Sequence, residues 1–156
     1  MAVDDVIFHP DADVDVAVIQ TSGASAPAVA LNEPDERIGG RLLLEPVLVM
    51  GYPRIPQALD PPALVVATSE VTAAVALYSQ RVPTLILSST ARGGFSGGLV
   101  LSSSGTALGV IAQSLVEGGE QVQLGFLSAL RVSAIIECLE AAGVDVPVVQ
   151  TLAVRS

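Results

Sequence analysis

Apolar residues in this chain come in short runs, and turn residues break the runs at close intervals. Residues 3–7 and 14–20 read as two strands joined by the turn His9-Pro10-Asp11. Small residues at 21–27 form a loop, and 32–37 is a charged turn. Two further apolar runs, 41–44 and 46–50, end at Gly51-Tyr52-Pro53. The stretch 51–62 holds four prolines and reads as a link between two halves. In the second half, 63–68, 71–78 and 82–88 read as strands, followed by a glycine-rich loop at 93–98. A strand at 99–102 turns at Ser103-Ser104-Gly105, and strands at 108–115 and 121–127 flank Glu117-Gly118-Gly119. Residues 131–142 have the spacing of an amphipathic helix, with Ser128 as its candidate N-cap and Gly143 in the C′ position. Many short strands with one terminal helix predict an all-β protein, a sandwich or barrels.

Composition narrows the class. The chain has 156 residues, enough for one domain or two small ones, and is 51% hydrophobic but only 3% aromatic. Its net charge is −9, with seven arginines and no lysine. That balance argues against a nucleic-acid surface, which needs a basic patch, and against binding to anionic membranes. The single cysteine, Cys138, excludes a disulfide within the chain. Its place on the apolar face of the predicted helix marks it as a buried structural thiol. No apolar run approaches the ~18 residues of a membrane span. The N-terminus lacks the basic region of a signal peptide, so a cytoplasmic location is expected if Met1 is the true start. No cofactor or metal is expected.

The chemistry is concentrated in Gly94-Phe95-Ser96-Gly97-Gly98. A serine between glycines can sit on a sharp turn with its hydroxyl exposed and backbone N–H groups converging beside it. The same five residues fit G-x-S-x-G, the nucleophile elbow of α/β-hydrolases. That elbow leads into a helix and takes its histidine from later in the chain. Here Leu99-Val100-Leu101 and a hairpin follow, and no histidine comes after Ser96, which excludes the elbow.

The chain resembles trypsin-like serine proteases, with the HtrA-type bacterial branch most similar. Asp15-Val16-Ala17-Val18-Ile19 is similar to the segment that carries the triad aspartate in that family. Val49-Met50-Gly51-Tyr52-Pro53 is similar to the G-x-P at the end of the first barrel. Gly94-Phe95-Ser96-Gly97-Gly98-Leu99 follows the nucleophile motif G-x-S-G-G-P, with Leu99 in place of proline. Gly105-Thr106-Ala107-Leu108-Gly109-Val110 resembles the hairpin that follows, and Leu124-Gly125-Phe126-Leu127 the strand before the closing helix. The resemblance implies two antiparallel β-barrels of the trypsin-like fold, the first incomplete, and a C-terminal helix. The implied organisation is 1–50 for the remaining strands of the first barrel, 51–62 for the linker, 63–130 for the second barrel, 131–142 for the helix and 143–156 for a tail. It also implies a serine endopeptidase that forms an acyl-enzyme, with Ser96 as nucleophile and Asp15 orienting the general base. The N–H groups of Gly94 and Ser96 would form the oxyanion hole, and polypeptides would be the substrate.

Several positions depart from the family. Phe95 stands where trypsins have an aspartate that pairs with a freed N-terminal amine, so activation by that route is not expected. Thr90 stands where trypsins that cut after Arg or Lys carry an aspartate, and the other pocket positions, Gln113 and Phe126, are also uncharged. A small or medium apolar residue before the cut is therefore expected. The sole histidine, His9, lies six positions before Asp15 in a His-Pro turn and reads as a turn or surface residue. The catalytic histidine of this family lies well before its aspartate, which here places it upstream of Met1. The chain then reads as a fragment, a late-placed start, a half completed by another chain, or a degenerate homologue. The alternative function is a non-catalytic protease-like module that captures extended peptides by strand addition. An incomplete first barrel also predicts self-association through its unpaired strands.

Overall fold

The computed structural model describes residues 2–22, 28–32, 42–58, 63–77, 80–89, 94–116 and 123–146. The turn expected at 117–119 and the tail beyond Val146 lie outside them, as do most of the loop at 21–27 and the charged turn at 32–37. Eight strands and one helix are present among the described residues. They are β1 (Ala2–Phe8), β2 (Ala17–Ser22), β3 (Pro46–Gly51), β4 (Val65–Leu77), β5 (Gln80–Leu87), β6 (Leu99–Ser102), β7 (Ala107–Val116), β8 (Gln123–Arg131) and α1 (Val132–Ala141). β1 and β2 form a two-stranded antiparallel sheet. The other six strands close an antiparallel barrel in the order β3-β4-β5-β8-β7-β6. The fold is all-β with a C-terminal helix.

The barrel interior follows directly from period-two patterning. Val47 and Val49 of β3, Leu85 and Leu87 of β5, Val100 of β6 and Leu127 and Ala129 of β8 are all buried in one cluster. The residues between them point outward, as the exposed Leu48 shows. This pairing corrects two expectations. β3 was expected to belong to the first barrel, but it pairs with β4 and β6 and is a strand of the closed barrel. The strands expected at 63–68 and 71–78 are one continuous strand, β4. Its first half pairs with β3 and its second half with β5, and an irregularity between Val71 and Ala73 lets it turn the corner.

β8 also runs further than expected. Ser128, expected as the helix N-cap, lies inside β8 and is fully buried. The N-cap is Arg131, with extended backbone and no side-chain cap. At the other end Gly143 has φ +74, as its C′ assignment requires. The Gly143 N–H donates to Glu140 O at 2.9 Å and the Val144 N–H to Leu139 O at 3.0 Å, the paired bonds of a Schellman motif.

Helix α1 joins the two sheets. Val132 and Ile136, one turn apart, pack with Ala107 on the outside of the barrel. Ala134 packs with Val14 and Leu130, between the segment before β2 and the outer face of β8. One turn further, the Cys138 thiol, fully buried, donates to Ile7 O of β1 at 3.6 Å.

His9 is buried rather than at the surface. Its Nδ1 accepts the Asp11 N–H at 3.0 Å, which puts the ring proton on Nε2. Nε2 faces Glu137 Oε2 of α1 at 3.4 Å, but too far off line for a hydrogen bond. The Glu137 side chain is 58% exposed, so water competes for it. Glu137→Ala is therefore expected to change stability by less than about 1 kcal/mol in a urea titration. A larger loss would show that this pair, and not the apolar contacts, holds the β1–β2 sheet to the helix.

Candidate active site

Ser96 sits on the turn between Gly94 and the start of β6, and it is exposed. The turn has a simple local cause. The Gly98 N–H donates to Phe95 O at 2.8 Å, and Gly97 at the third position has φ +80. A turn with positive φ at that position favours glycine. Ser96 occupies the second position, a corner of the turn, where it is exposed. The turn is also pinned to β7, because the Gly97 N–H donates to Ile111 O and the Ile111 N–H to Gly98 O, both at 2.8 Å.

Gly94 has φ +106, and the Tyr52 N–H donates to its carbonyl at 3.1 Å. A methyl group on Gly94 would lie 2.7 Å from both Pro53 Cα and Tyr52 O. The residues after β3 therefore press directly on the turn. The N–H groups of Gly94, Phe95 and Ser96 donate to no described residue. Phe95 is the one buried side chain among 94–97, and it belongs to the barrel core.

Asp15 is exposed in the segment leading into β2, and its side chain bonds to no described residue. It borders a depression of about 560 Å³ lined by residues 8, 9 and 11–17, to which the serine turn contributes nothing. The chain around it is tightly folded. The Val14 N–H donates to Asp11 O at 3.1 Å, and the buried Val14 side chain anchors the segment on Leu130 and Ala134. No hydrogen bond or ion pair joins Asp15 to Ser96 or to His9 among the described residues.

Of the pocket positions, Phe126 lies on β8 and is 40% exposed. Gln113 stands opposite Ser128 at an irregularity in the β7–β8 pairing. Thr90 lies outside the described residues. Sequence reasoning missed Gly51, whose Cα lies against Phe95; the signal was its place just before Tyr52-Pro53, the residues that press on Gly94. Among the described residues no group of three or more His, Cys, Asp or Glu could hold a metal ion. No described helix is long and apolar enough to cross a membrane.

The profile of the trypsin-like peptidase domain matches residues 2–110, which run from β1 through the serine turn and β6 into the start of β7. The chain belongs to the trypsin-like peptidase family. Solved proteases share its fold. The HtrA-type protease AlgW, solved with a decapeptide, aligns with a TM-score of 0.65 at 17% identity, over 84% of this chain and 38% of AlgW. The active form of the Rv3671c protease from M. tuberculosis aligns with a TM-score of 0.67 at 19% identity, over 92% of this chain and 60% of that one. Its inactive form gives 0.62 at 18% identity, over 88% and 66%. The chain thus spans between 38% and 66% of the length of these proteases. No curated protein sequence matches it.

Proposed function

We propose that this trypsin-like peptidase chain carries the nucleophile side of a serine endopeptidase. Ser96 Oγ attacks the scissile carbonyl carbon while a histidine takes the hydroxyl proton. The Gly94 and Ser96 N–H groups stabilise the oxygen that gains charge. The histidine then protonates the leaving amine, and water releases the acyl group from Ser96. Asp15 orients that histidine, which comes from residues preceding Met1 or from a second chain. Polypeptides are the substrate, in keeping with AlgW, which was solved with a decapeptide. Uncharged Thr90, Gln113 and Phe126 favour a small or medium apolar residue before the cut.

The observation that carries this reading is the exposed Ser96 at a turn corner, beside backbone amides with no described acceptor. The test supplies the base from outside. The chain is incubated with a p-nitrophenyl ester of a short apolar acyl peptide and imidazole, and the acyl adduct is located by mass spectrometry. Acylation confined to Ser96 and abolished by Ser96→Ala supports the reading. Casein turnover by the 156-residue chain alone is expected to be negligible, because loss of the base lowers catalysis by several orders of magnitude.

A second reading is a protease-like module that binds extended peptides without cutting them. The burial of His9 and the engagement of its Nδ1 by Asp11 favour it, since the chain's one imidazole is not presented as a base. Peptide binding with no acylation of Ser96, even with imidazole, would decide for it.

We also propose self-association through the first sheet. Val6, Phe8 and Ile19 share its outward face, and Phe8 is 74% exposed. Sedimentation velocity would report it.

A further inference from the structure

Phe95 is 6% exposed and sits in the barrel core, while its neighbours Gly94, Ser96 and Gly97 are all exposed. The ring fills a notch that exists because residue 51 has no side chain. A methyl group on Gly51 would lie 2.7 Å from Phe95 Cδ1 and 3.0 Å from its Cα. Contacts on either side of the ring repeat this fit. Gly94 is seated on Tyr52 and Pro53, and a methyl group on Gly98 would overlap the Met50 carbonyl oxygen. The whole turn is thus pressed onto residues 50–53, with one apolar side chain driven through the contact.

We propose that Phe95 is a positioning residue for Ser96. Its burial against Gly51 fixes Gly94 at φ +106 and so aims the Gly94 and Ser96 amides. The anchor is apolar and uncharged, so the turn reaches its working shape through core packing alone. It needs no ionic partner and no cleavage of the chain. The proposal rests on the reading of Ser96 as nucleophile.

The test uses the full chain as wild type, Phe95→Leu, Phe95→Ala and Gly51→Ala, with Ser96→Ala as the control. The probe is an alkyl fluorophosphonate with imidazole as external base. The Ser96 Oγ–P bond forms, fluoride leaves and imidazole takes the hydroxyl proton. Two quantities are read: the rate of Ser96 labelling by mass spectrometry, and the amide chemical shifts of Gly94 and Ser96 by NMR. Phe95→Ala and Gly51→Ala are expected to label about tenfold more slowly or worse, because a misplaced oxyanion donor costs about 10²–10³ in rate. Their Gly94 and Ser96 amide shifts move, whereas Phe95→Leu stays close to wild type. Leu85→Ala, an equally deep change elsewhere in the core, is expected to label at the wild-type rate.

If Phe95→Ala does not fold, Gly51→Ala carries the comparison, since it keeps the ring and removes its seat. Folded variants that label like wild type with unmoved amides would overturn the proposal. So would an equal slowing in Leu85→Ala, which would reduce the effect to general destabilisation. A wild-type chain that does not label overturns the nucleophile reading alone. The amide shifts then decide the role of Phe95: moved in Gly51→Ala they support it, unmoved they overturn it.

Discussion

Gly98→Ala is expected to lower stability by about 3 kcal/mol, at the upper end of what overpacking usually costs. The added methyl group would overlap the Met50 carbonyl oxygen and lie 2.8 Å from Phe95 O. Neither oxygen can step aside cheaply. Met50 is held in β3 opposite Val66, and Phe95 O already accepts the Gly98 N–H. For a chain of this size the change lowers Tm by about 6–12 °C. Gly97→Ala is the control, because no atom lies within 4 Å of a methyl group there. Its cost comes from φ +80 alone, about 1–2 kcal/mol. Thermal melts followed by circular dichroism separate the two. A Gly98→Ala protein that melts with or above Gly97→Ala would mean that the turn is not clamped to β3.

The second large effect is expected at Leu130, which is fully buried on the outer face of β8. It packs with Val14 and Ala134, the junction of barrel, helix and first sheet. Leu130→Ala should cost about 2–5 kcal/mol, as large-to-small changes at buried positions do. The loss should not be spread evenly. The barrel keeps its own interior cluster, to which Leu130 does not belong. The β1–β2 sheet loses the floor under Val14. Hydrogen exchange should therefore quicken far more in β1 and β2 than in β5 and β7. A uniform rise across the chain would show that the first sheet and the barrel unfold as one unit.

Much of this was legible from the sequence, and the failures have physical causes. β6 and its hairpin were readable because the apolar run Leu99-Val100-Leu101 stops at Ser103-Ser104-Gly105, where Gly105 supplies the positive φ that the turn uses. Gly143 marked the helix end for the same reason. β4 was split in two because Ser69-Glu70 reads as a turn. Ser69 instead points inward, and the Glu70 N–H is taken by Ser88 Oγ across the sheet. β3 was given to the wrong unit because strand pairing is not local, and Gly51-Tyr52-Pro53 looks like an ending wherever it occurs. Ser128 looked like a cap because the buried outer face of β8 is invisible until α1 is placed over it. At the candidate site, Ser96 and its glycines announced themselves by spacing. The fit of Phe95 to Gly51 could not be read, since it joins positions 44 residues apart through packing.

The docking of the first sheet onto α1 has a consequence during synthesis. Ile7 meets its helical partner Cys138 only after 131 further residues have been added. At about 5–20 residues per second, that is an interval of about 7–26 s. Throughout it β1 has emerged from the ribosome while the surface that will hold it has not been made. Val6, Phe8 and Ile19, exposed even in the finished fold, are then accompanied by Val14, Ile7 and Val18 with nothing to cover them. The nascent chain in this window exposes more apolar strand surface than the finished fold does.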